Sequence, residues 1–153
     1  LVACFQLGGS VFTFDVVVLH LKARTDEQSE FRRRTAIERL DVWLEDRSLV
    51  EPEIAVVGDY NDRLEDRPPR NVFGPFLDTA RYRFLPADLI GEQISFVPFP
   101  GLIDHFLVTD DLETAYGTGV QTRVIPLDEL TEGYLEHVSD HRPVVSVFEG
   151  PAR

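Results

Sequence analysis

The sequence contains no methionine and a single cysteine, Cys4. One cysteine excludes a disulfide framework within the chain and any cysteine-rich zinc site. Lysine is also scarce. Lys22 stands alone beside fourteen arginines, and these fifteen bases face twenty-seven acids for a net charge of −12. A polyanion is repelled by a phosphate backbone, which argues against a general nucleic-acid-coating protein. No apolar run approaches the ~20 residues that cross a bilayer. No repeat, low-complexity tract or Ser/Gly linker divides the 153 residues, so one domain at most is expected. The chain opens Leu1-Val2-Ala3-Cys4 without the charged start of a signal peptide. With no initiating Met, it is expected to be a processed or excised piece. Nothing marks a cellular location.

What is present reads as a folded α/β domain. Hydrophobic residues make up 43% of the chain and charged residues 27%, too apolar for intrinsic disorder. Leu1 to Leu7 and Val11 to Leu21 flank Gly8-Gly9-Ser10, a hairpin pattern. The centre of the second run, Val16-Val17-Val18-Leu19, is continuously apolar, which predicts a strand buried on both faces. Ser29 to Arg47 predicts a helix capped by Ser29. Phe31, Ile37, Leu40 and Leu44 share its apolar stripe beside Trp43, with Arg32, Arg33, Glu38 and Glu45 turned to water. Ile54 to Val57 predicts a short buried strand. Residues 63–93 are polar and irregular, and Pro68-Pro69 forbids a helix interior there. Ile94–Val97 and Leu102–Val108 predict two strands joined through Pro98-Phe99-Pro100-Gly101. A further loop runs through Gly117, Gly119 and Pro126, and Pro143–Phe148 predicts the last strand.

Polar residues gather where these strands start or stop: His20, then Asp59 and Asn61, then Asp104, then Asp140 and His141. Strand ends at one edge of a rigid sheet can converge on one site. Each residue also has a plainer reading. His20 could be a hydrogen-bonded core histidine. Gly58-Asp59-Tyr60-Asn61 could be a turn whose side chains bond their own backbone. Asp140-His141 could be a cap. Asp104 is harder to dismiss, because a carboxylate in an apolar strand needs a donor, and His or Arg is the expected one. His105 points to the opposite face and reads as structural. His137 reads as a solvated loop residue, Arg32-Arg33-Arg34 as a solvated helix face, and Arg142 as structural beside Pro143. A Ser-His-Asp hydrolase is disfavoured, because Ser139, Asp140 and His141 are adjacent and no Gly-x-Ser-x-Gly turn exists. A zinc site is disfavoured because the histidines lack His-Glu-x-x-His spacing.

Taken in order, His20-Leu21-Lys22-Ala23, Gly58-Asp59-Tyr60-Asn61, Ile103-Asp104-His105 and Ser139-Asp140-His141-Arg142-Pro143 resemble the motifs of the endonuclease/exonuclease/phosphatase family, the DNase I-like superfamily. The resemblance implies a DNase I-like four-layer α/β sandwich, two mixed β-sheets flanked by helices. Only about the second half, the C-terminal portion of the domain, is expected in residues 1–153. It implies a hydrolase acting on phosphate esters with Mg²⁺ (or Mn²⁺), most readily a nuclease cleaving phosphodiesters by attack of water on phosphorus. A phosphatase, a sphingomyelinase-like phosphodiesterase and a non-catalytic scaffold retaining the fold remain alternatives.

By the same resemblance, Asp59 orients or deprotonates the attacking water, and Asn61 donates to the phosphate or holds that water. His20 and His141 approach the non-bridging oxygens. Asp104 fixes His141, and Asp140 is the metal-side carboxylate. The chemistry suits the problem: an anionic ester repels nucleophiles, so the site must neutralise charge and orient water. The sequence departs from the family in one respect. The early Asn and the Gln-Glu pair that supplies a principal metal ligand have no counterpart before His20. The missing N-terminal half, or a partner chain carrying it, is therefore expected, and the isolated chain is expected to be nearly inactive.

Overall fold

The computed structural model describes residues 2–4, 14–116 and 120–148. The Gly8-Gly9-Ser10 turn and the loop at Gly117 and Gly119 lie outside the described residues. Seven strands are described: β1 (Val2–Cys4), β2 (Asp15–His20), β3 (Ile54–Asp59), β4 (Tyr82–Phe84), β5 (Asp104–Thr109), β6 (Gln121–Val124) and β7 (Val144–Val147). The helices are α1 (Glu27–Ser48) and the short α2 (Asp110–Tyr116), α3 (Leu127–Leu130) and α4 (Tyr134–His137). The last three were not foreseen in the sequence, where α1 carries the only long helical stripe.

Strands β1 to β5 form a mixed sheet in the order β1-β2-β3-β5-β4, and β6 pairs with β7 in a second sheet. β2 and β3 run parallel, joined by a crossover through α1, while β5 lies antiparallel to β3. Two apolar clusters sit on the two faces of the larger sheet. Under α1, Ile37 and Leu44 of the helix meet Ile54, Val56 and Leu107 of the strands, with Tyr60, Phe73, Phe76 and Phe84 filling the space between. On the other face, Ala55, Val108 and Leu112 gather Val16, Val57, Phe106 and Phe148.

Several expectations need correction. β2 is not buried on both faces: Val16, Val17 and Leu19 are partly buried and Val18 is 49% exposed. The helix begins earlier than expected. Asp26 is its N-cap, with Oδ1 accepting from the Ser29 amide at 3.0 Å and Oδ2 from the Ser29 hydroxyl at 2.8 Å. Its buried stripe is Ser29, Arg33, Ile37 and Leu44, whereas Phe31 is 66% exposed. Arg33 is thus buried, because Asp62 meets its charge inside the protein.

The segment 94–97 forms no strand. Phe96 bridges Gly101 and His141, and Ser95 latches the turn. Its hydroxyl accepts from the Ile103 and Asp104 amides, and its carbonyl accepts from the Arg142 amide. Residues 63–93 are irregular as expected, except for β4 and two 3-10 turns, Gly74–Leu77 and Leu85–Leu89. The Pro68-Pro69 bond is cis.

Candidate active site

The site is a product of strand register. Across the parallel pair, His20 lies opposite Asp59, and across the antiparallel pair Asp59 lies opposite Asp104. Directly paired residues share a face of the sheet. The row His20–Asp59–Asp104 therefore projects from one edge, on the face away from α1. His141 arrives from the second sheet's side, where it precedes β7 and is held to the turn by its bridge to Phe96.

His141 joins the row through Asp104. Its Nδ1 lies 2.7 Å from Asp104 Oδ2, and its Nε2 lies 3.9 Å from Asp59 Oδ2. The His20 Nε2 is 3.3 Å from the same Asp59 oxygen. Asp59 thus faces two imidazoles. Burial pulls the His141 pKa down, but the Asp104 hydrogen bond and the charges of Asp104, Asp59 and Asp140 outweigh it and hold the pKa above the usual histidine value. The Asp59 pKa is raised as well. Burial raises its pKa against the Asn61 amide, and the Asp104 charge adds to the rise.

The local chain shape is set by two residues. Gly58 has φ 138°, and a Cβ there would stand 2.0 Å from the Leu19 carbonyl oxygen. Only glycine lets β3 approach β2 this closely at the site. Asn61 has φ 52° and closes the turn. Its amide N–H donates to Asp59 Oδ1 at 2.7 Å, and its Nδ2 donates to Asp59 Oδ2 at 2.8 Å and to the Leu21 carbonyl at 3.1 Å. The side-chain-bonded turn is therefore real, and the same turn aims Asp59 at the histidines.

The other candidates separate cleanly. Asp140 is exposed and lies outside the cluster formed by Asp59, Asp104 and His141. One ligand atom from each of those three lies within 4.8 Å of the others, so these three residues could hold a metal ion. Two half-buried carboxylates facing one gap are a hard-oxygen donor set, and a divalent cation would relieve their mutual repulsion. His105 is structural. It is buried between Tyr60, Phe73 and Phe84, and its Nε2–H donates to the Asp62 carbonyl at 3.0 Å. That leaves Nδ1 as the unprotonated nitrogen, and it has no partner. His137 closes α4 with its side chain exposed. Arg142 is structural too, gripping Asp128 through two bonds of 2.7 and 2.8 Å.

Sequence reasoning missed Arg33 and Asp62, the buried pair behind the site. Arg33 stands in the run Arg32-Arg33-Arg34, and only its helical spacing from Ile37 sets it apart from its neighbours.

A cleft of about 400 Å³ opens beside the row, bordered by Asp104, His141, Val57, Phe106 and Tyr134. No protein-family model matches the chain, and no curated protein matches it. Among solved structures, it is similar to the human Nocturnin catalytic domain with a bound sulfate anion, with a TM-score of 0.64 at 18% identity. The likeness covers 95% of this chain and 51% of that one. The chain is therefore a mixed α/β protein of DNase I-like fold that spans about half the length of such a domain.

Proposed function

We propose that this chain carries part of the active site of a metal-dependent phosphoesterase that hydrolyses phosphodiesters, nucleic acid first among them. One observation carries the reading: register and a 2.7 Å hydrogen bond bring His20, Asp59, Asp104 and His141 from four separate segments into one cluster. The neighbour's bound sulfate, a tetrahedral anion of phosphate's shape, supports it.

The residues divide the work. Asp59 accepts the proton of the attacking water, and burial, by raising its pKa, makes it a stronger base than a solvated carboxylate. His141, whose pKa the Asp104 hydrogen bond and the nearby carboxylate charges raise against the pull of burial, donates to a non-bridging oxygen or to the departing alkoxide. His20, 72% exposed at its side chain, meets the incoming phosphate. Both Asn61 amide protons are engaged by Asp59 and Leu21, so Asn61 orients the base. A divalent ion held by Asp59 and Asp104 would supply charge neutralisation at the phosphoryl group. Mg²⁺ or Mn²⁺ is the ion proposed.

The test is a panel assay with Mg²⁺ on a chromogenic phosphodiester, RNA, plasmid DNA and inositol phosphates, using the whole protein from which this chain comes. Hydrolysis abolished by Asp59→Asn and by His141→Ala is expected. Hydrolysis that survives both substitutions would end the proposal, and absence of metal binding with the row intact would favour a scaffold.

A second reading rests on Phe99. It is 75% exposed, and its ring packs on Phe96, whose ring centroid is 4.8 Å from that of His141. An exposed aromatic beside the histidine suits a lipid phosphodiester at a membrane surface. Flotation with sphingomyelin liposomes, lost on Phe99→Ser, would support that substrate.

A further inference from the structure

Behind the row, on the opposite face of the sheet, lies the buried Arg33. Its Nε donates to Asp62 Oδ2 at 2.7 Å, and one terminal nitrogen donates to the carbonyls of Lys22 at 2.8 Å and Arg24 at 2.6 Å. These acceptors belong to two different loops. Lys22 and Arg24 follow His20 out of β2, whereas Asp62 follows Asn61 out of β3. The same loops are stitched to each other nearer the site: the Leu21 amide donates to the Asp59 carbonyl at 2.9 Å, and Asn61 Nδ2 donates to the Leu21 carbonyl. Asp62 extends the connection to a third strand, because its carbonyl accepts from His105, the neighbour of Asp104.

We propose that Arg33 is a positioning residue for the row, fixing His20, the Asp59–Asn61 turn and the start of β5 relative to one another from behind. The proposal rests on the phosphoesterase reading for its catalytic consequence and on geometry alone for its structural one. A buried ion pair adds little net stability over a well-packed apolar filler. What the guanidinium adds is direction, because its planar fork holds three acceptors at set angles, whereas a lysine ammonium has no such plane. A second pair provides the comparison. Arg47 Nε donates to Asp15 Oδ2 at 2.6 Å, tying the same helix to the same strand at the end remote from the row.

The experiment compares Arg33→Gln, Arg33→Lys and Asp62→Asn with Arg47→Gln. Two readouts are taken: hydrogen exchange of the Asn61 side-chain amide by NMR, and Mg²⁺-dependent hydrolysis of a chromogenic phosphodiester by the whole protein. Arg33→Gln is expected to speed Asn61 exchange and to lower kcat by ~10-fold or more with KM little changed, as for misplaced catalytic groups. Arg33→Lys should recover part of both. Arg47→Gln should lower the melting temperature comparably yet leave both readouts alone. Equal effects of the two Gln variants, or an unchanged Asn61 amide in folded Arg33→Gln, would overturn the proposal. If Arg33→Gln does not fold, Asp62→Asn decides by the same criteria. If the unsubstituted protein hydrolyses nothing, the phosphoesterase reading fails while Asn61 exchange still decides the positioning role.

Discussion

At the scale of the residue, two histidines adjacent to the same carboxylates behave in opposite ways because of where they point. His141 faces Asp104 and Asp59, whose charges and hydrogen bond raise its pKa against burial, whereas His105 is sealed among aromatic rings, where burial pushes its pKa down to about 4. Asp104→Asn removes the charge that raises His141 and leaves only a neutral amide oxygen as acceptor. The His141 NMR titration midpoint should therefore fall, and hydrolysis should drop by ~10²-fold or more, the usual scale of general acid–base catalysis. For His105 the sign is that of a buried neutral base. Above pH ~6.5 it is neutral in the folded and unfolded states alike. Between pH 6.5 and about 4 the unfolded chain takes up a proton that the folded chain refuses, so stability is lost as pH falls through that window. Two and a half units correspond to roughly 3 kcal/mol. Urea melts of the protein and of His105→Phe across pH 4 to 7.5 should diverge by about that amount, and parallel curves would contradict it. The sequence made a partner for Asp104 legible, because a carboxylate in an apolar strand demanded a His or Arg donor, and His141 is the one that meets it. It could not show that His105 would keep an unpartnered nitrogen.

At the scale of the element, the strands were easier to read than their partners. β3, β5 and β7 follow the apolar runs closely. The 94–97 segment misled because an Ile-Ser-Phe-Val run has strand composition, yet Ser95 uses its hydroxyl and carbonyl to fasten the turn instead of a ladder. Helix α1 was misread at its start for a related reason. Ser29 is a good cap by type, but Asp26 lies three residues earlier and accepts from Ser29 itself. Asp26→Ala should therefore fray the first turn. Amide exchange at Ser29 should accelerate while that at Ile37 does not. A cap at Ser29 would instead leave the Ser29 amide indifferent to Asp26. Arg33 could not be placed from sequence, because an arginine on a helix faces water unless a distant acid, here Asp62, follows it inward.

At the scale of the molecule, the charge of −12 and the proposed phosphate chemistry are compatible, since Asp59, Asp104 and Asp140 lie at or beside the site and a bound cation would offset them locally. The balance still limits how many phosphates this chain can grip. Binding of a single-stranded oligonucleotide in Mg²⁺, followed by anisotropy, should show a log–log salt slope no steeper than about −2, because the slope tracks the number of phosphates neutralised. A steep slope would point to a basic groove that this chain alone does not display. The row itself has a further implication. Successive side chains of a strand alternate faces, so the site depends on the parity of residues in β2, β3 and β5. Deleting one residue between Ile54 and Asp59 would swing Asp59 to the side of α1 and bring Gly58's partner positions out of step, whereas removing two would restore its facing. Length change in these strands should therefore be tolerated by twos, as in an even-or-odd code.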